Sequence, residues 1–135
     1  MLHTIVLLLV AVHVLAGVFW AGSTFTLART GSTLATALIR PQLGAAAATV
    51  LVGVGLWGLT HRYGFPPQAR VLAVGALFAL AALTVQASLV LPVARRMPAT
   101  APADPALQWR VATAQRVAAG LLAVTVICMV TARYF

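Results

Sequence analysis

Acidic side chains are almost missing from this chain: Asp104 is the one carboxylate in 135 residues, and all nine basic residues are arginine, with no lysine. Mechanisms that need a carboxylate pair, such as glycoside hydrolysis, are therefore excluded, as are metal sites built on glutamate. A single cysteine, Cys128, permits no internal disulfide. No P-loop, nucleophile elbow, CxxC or HExxH pattern occurs. Any chemistry must come from His, Arg, Gln, Cys or Met. Charged residues make up 7% of the chain, against about a quarter in soluble domains.

Apolar residues fill the space that charge leaves. They account for 62% of the chain, the mean hydropathy is +1.03, and the net charge of +8 favours anionic lipid headgroups. These figures describe a membrane protein.

Four apolar stretches are long enough to cross a bilayer. Thr4 to Leu27 carries no charge and, at 1.5 Å per residue, covers the ~30 Å hydrocarbon core with some tilt. With no Lys or Arg ahead of it and further spans behind it, it reads as a span rather than a cleaved signal peptide. Leu43 to Thr60 is the second, with Pro41 expected at its first helical turn and His61, Arg62, Tyr63 and Gly64 closing it. Val71 to Ala94 is the third, entered after Pro66 and Pro67 and left through Pro92, Arg95 and Arg96. Met97 to Ala106 is a Pro- and Ala-rich linker that ends in Asp104-Pro105, an N-cap followed by proline at the first helical position. The fourth span covers residues 107–134, in a helix starting at Pro105 whose first turns, with Trp109 and Arg110, project through the headgroups. The expected fold is all-α, a single-domain, up-and-down four-helix bundle.

Arg29, Arg40, Arg95, Arg96, Arg110 and Arg116 fall at one side of this bundle, and Arg62, Arg70 and Arg133 at the other, with the N-terminus. The richer side is expected to be cytoplasmic, which places both termini, His3 and His61 outside, in a bacterial-type inner membrane.

At 100° per residue His13, Gly17, Trp20 and Thr24 share one stripe of the first helix. His13 lies near mid-membrane, where an imidazole is costly against lipid and so faces the bundle. Two readings stand side by side. His13 is a ligand or proton-handling group with Gly17 leaving room for something flat, or it is a neutral core histidine bonded to a neighbouring helix with Gly17 as tight packing. Gly75, Ala79, Ala82 and Gln86 line one face of the third span, and Ala45, Thr49 and Gly53 one face of the second, the spacing of close helix contact. Counting turns puts Gln86 level with Ser23 and Thr24 and near Gln115 and Arg116, a candidate polar vestibule with a cationic floor. The alternative is that Arg116 snorkels into the headgroups and Gln86 bonds a backbone carbonyl. Near the outer boundary His3, His61, Cys128 and Met129 offer looser material for a copper site.

The run from His13 through Trp20, Gly22 and Phe25 to Arg29, with the histidine seven residues before the tryptophan, resembles the first helix of the CopD-type copper-resistance proteins and the HemJ-type protoporphyrinogen oxidases. The HemJ-type resemblance implies a haem contact at His13. The HemJ pattern also includes a lysine, which this chain lacks, so the oxidase activity does not carry over. The leading expectation is a small haem b-binding or electron-transferring membrane protein, a possible oxidoreductase. It would hold the haem through His13, Gly17 and Trp20, with Met129 as the second ligand by depth and a quinone or redox protein as partner. A five-coordinate iron or a His3 and His61 pair are the fallbacks. The alternatives are a copper-handling or small-solute transport accessory, and a non-catalytic structural subunit in which His13 only packs; a second copy of the chain, in a homo-oligomer, is a further expected partner.

Overall fold

The computed structural model describes residues 1–30, 35–60, 64–96 and 104–135. Every extended element among them is helical: α1 (Leu2–Thr30), α2 (Ala35–Thr60), α3 (Pro67–Val85), a π-helical turn (Gln86–Val90) leading into α4 (Leu91–Arg96), and α5 (Pro105–Thr131) with a short 3₁₀ end. The π-turn and α4 continue α3, so there are four rods, each long and apolar enough to cross a membrane. The chain is an all-α, multi-pass four-helix bundle.

Proline and aspartate capping signals act as expected at one end and differently at another. Asp104 Oδ1 accepts the Ala106 N–H at 2.9 Å and Pro105 occupies the first helical turn, so two of the unpaired donors of a helix start are met or absent. Pro41, expected to open α2, lies inside it, because the helix begins at Ala35. As the seventh residue of the helix, Pro41 removes the hydrogen bond to the Ala37 carbonyl and its ring crowds that carbonyl, the cost of an interior proline. Pro92 stands two residues past the end of the π-turn, where the Leu91 N–H reaches back to the Gln86 carbonyl. The widened turn gives the pyrrolidine ring room that a regular α-turn denies it.

Within the bundle α1 packs on α2 and on α5, α5 packs on α3, and α2 closes the ring against α3, the π-turn and α4. Small side chains lie inside and large ones outside. Ala46, Ala79, Ala82 and Ala118 surround Trp20 and Leu122 in one core cluster, while Leu8, Leu15, Val18, Leu51, Leu77 and Ile127 are exposed to what the hydropathy identifies as lipid. Lipid tails are as apolar as leucine, so burying large side chains gains little, and close backbone approach through small residues holds the helices instead. Exposed hydroxyls turn back on their own helices: Thr26 donates to the Gly22 carbonyl, Thr60 to Leu56, Thr84 to Leu80 and Thr131 to Ile127. None of these four donors is then left bare in hydrocarbon.

Candidate functional site

Among the described residues two polar features of the membrane-spanning part bear on the expected site. The deeper-buried one is a layer of amides. Gln42 of α2, Gln86 of the π-turn, Gln115 of α5 and Thr24 of α1 are each 0% exposed, and every rod contributes one of them. Trp20 Nε1 donates to Gln86 Oε1 at 2.7 Å. Gln86 Nε2 donates to Thr24 Oγ1 at 2.9 Å and to Gln115 Oε1 at 3.1 Å. Gln42 Nε2 donates to Thr24 Oγ1 at 2.7 Å, and Gln115 Nε2 returns a bond to Gln42 Oε1 at 3.3 Å. Thr24 completes the set by donating to the Trp20 carbonyl. Apolar clusters close the layer above and below, with Trp20, Ala46, Ala82 and Ala118 on one side and Leu27, Ile39, Val90, Val111 and Ala114 on the other.

Thr24, Gln86 and Gln115 are thus brought together as their depths suggest, but the vestibule expected around them is a closed network. Arg116 is not its floor. One residue beyond Gln115, it is turned by 100° onto an exposed face, where its Nε donates to the Ala28 carbonyl at 3.4 Å. That carbonyl belongs to the last turn of α1, which has no intrahelical donors of its own, so Arg116 acts as a C-terminal cap in trans. Gln42 was missed because taking Pro41 as the helix start put it outside the span. Its type and its position one turn before Ala46 were the available signals.

The second feature is His13, half-buried on the seam between α1 and α2. Its Nδ1 lies 2.9 Å from the Thr49 carbonyl oxygen. A carbonyl only accepts, so Nδ1 carries a proton in this bond, and in a neutral ring the lone pair would lie on Nε2. Among the described residues none donates to Nε2. The ring edge is seated on Gly53, where an added Cβ would come within 2.9 Å of His13 Cε1. One turn along, Gly17 faces Thr49, and its added Cβ would meet Thr49 Cγ2 at an ordinary 3.7 Å. Thr49 holds its hydroxyl back on the Ala45 carbonyl.

The remaining residues expected around His13 are committed elsewhere. Trp20 is 1% exposed and belongs to the amide layer. Gly17 is filled by Thr49. Met129 faces away from His13: it packs against Gly75 on the seam between α5 and α3, beside Cys128, where Thr125 Oγ1 donates to the Gly75 carbonyl at 3.1 Å. His13 engages α2 and Met129 engages α3, so the structure does not bring them together. His3 is exposed in the first turn of α1, and His61 lies outside the described residues. Among the described residues no three of His, Cys, Asp and Glu gather to hold a metal ion.

Compared with family models, curated proteins and solved structures, the chain finds no match.

Proposed function

We propose that this protein binds haem b through His13, as a small electron-transferring component of a bacterial-type inner membrane, with both termini outside and the arginine-rich end cytoplasmic. The observation that supports this is the bond from His13 Nδ1 to the Thr49 carbonyl. Metal-ligating histidines donate their second ring nitrogen to a carbonyl or carboxylate, which fixes the ring and raises the basicity of the ligating nitrogen. His13 has the geometry of that arrangement, with Nδ1–H donated to the Thr49 carbonyl, which in a neutral ring leaves the lone pair on Nε2. Seating on Gly53 fixes the ring further, since displacement towards α2 is blocked.

The donor set fits a haem held by one protein ligand. An imidazole is the strong donor, the half-buried α1–α2 seam supplies an apolar surface, and Met129 is withdrawn from the pair. When bound, a haem supplies one-electron chemistry, and a quinone or redox protein in the same membrane is the matching partner class. The chain's own work is to hold the imidazole in one tautomer and orientation at mid-membrane.

A second reading rests on the same contacts. The bond to Thr49 and the fit on Gly53 together clasp α1 to α2, and a clasp suffices for a structural subunit. An absorption spectrum with an iron assay on protein purified in mild detergent separates the two. A Soret band with stoichiometric iron is expected; protein free of visible absorption that also stays so when haem is added would leave the clasp alone.

A further inference from the structure

Eight more arginines than acids leave this chain without internal counter-ions. Its single carboxylate, Asp104, is spent on the N-terminus of α5. The imbalance is concentrated at one end of the bundle, where Arg29, Arg40, Arg95, Arg110 and Arg116 are all exposed. Within this collar Arg116 is set apart by depth. It lies eleven residues into α5, about 16 Å from the helix start, yet level with the last turn of α1, since its Nε bonds the Ala28 carbonyl. Side chains lean towards the N-terminus of their helix, so the Arg116 guanidinium is directed out of the membrane towards the headgroups. One N–H is used on Ala28, and its terminal nitrogens are left for an anion. The next residue along α1 from that carbonyl is Arg29. Seven residues before Arg116, and so on the same face of α5, stands Trp109, 68% exposed, an amphipathic ring suited to the headgroup layer.

We infer that the groove between the last turn of α1 and α5 binds the phosphate of an anionic phospholipid, with Arg116 and Arg29 as its cationic partners. A guanidinium fork matches phosphate oxygens in geometry and in charge, and no carboxylate of the chain competes for it. The site is independent of the haem reading.

The test is native mass spectrometry of the full chain, purified in mild detergent and equilibrated with an equimolar mixture of phosphatidylglycerol and phosphatidylcholine. Retained lipid should be enriched in phosphatidylglycerol. Arg116→Gln and, separately, Arg29→Gln should each lower that enrichment about fivefold, the effect of one basic residue near the surface. Arg133→Gln, at the opposite end of the bundle, should leave it unchanged. Arg29 makes no part of the Ala28 bond, so its variant reads the site even if Arg116→Gln disturbs packing. Equal retention of the two lipids, equal loss in all three variants, or displacement of the lipid by inorganic phosphate at constant ionic strength would each overturn the inference.

Discussion

Two glycines one membrane level apart carry opposite instructions for the α1–α2 seam. At Gly53 even a methyl group meets the His13 ring at 2.9 Å, whereas at Gly17 it meets Thr49 at van der Waals distance. Gly53→Ala should therefore displace the imidazole and destabilise the bundle by about 1–3 kcal/mol, the usual range for overpacking. Gly17→Ala should be tolerated, and Gly17→Leu should not. Thermal unfolding in detergent reads all three, and equal effects of the two alanine variants would contradict the seating of His13 on Gly53. The place of His13 on an inward stripe with Gly17 and Trp20 was legible from helical periodicity. Its partner was not, because a backbone carbonyl of another helix acts as acceptor through the azimuth at which two helices meet. The same limit applies to Met129, whose neighbour follows only from the packing of α5 on α3.

Among the elements, the amide layer binds the four rods to a single register. Gln86 alone makes three side-chain bonds, to Trp20, Thr24 and Gln115. Gln86→Leu leaves the Trp20 N–H without its acceptor inside a sealed layer, at a cost of about 1–3 kcal/mol for such a group. Unfolding midpoints should fall accordingly, and Trp20 emission should change with the loss of its partner; an unaltered midpoint would show the layer to be dispensable. Three of the four members were legible because turns count evenly along uninterrupted helices. Gln42 was not, since a proline next to it imitates a helix start. At the entrance of α5, Asp104→Ala removes both the N-cap and the chain's one acid. The first turn should fray, with faster amide exchange at residues 106–108 and a loss of about 0.5–2 kcal/mol, while exchange in the centre of α5 stays slow.

For the whole molecule, hydropathy and composition were enough to establish four crossings, because a bilayer demands a continuous apolar length that few other environments select. The direction of insertion is a separate matter and rests on six arginines against three. Reporter fusions at either terminus should be active only in forms that work outside the cytoplasm, and a C-terminal fusion active only in the cytoplasm would invert the bundle and the collar with it. The central claim concerns Nε2 of His13 as an iron donor, and haem titration of the purified protein followed in the Soret region tests it most directly. Wild type should take up haem to saturation and show an imidazole-ligated spectrum. His13→Ala should lose the band, while Met129→Leu should leave the band unchanged because that side chain faces the α3 seam. Equal haem uptake by wild type and His13→Ala would contradict the claim.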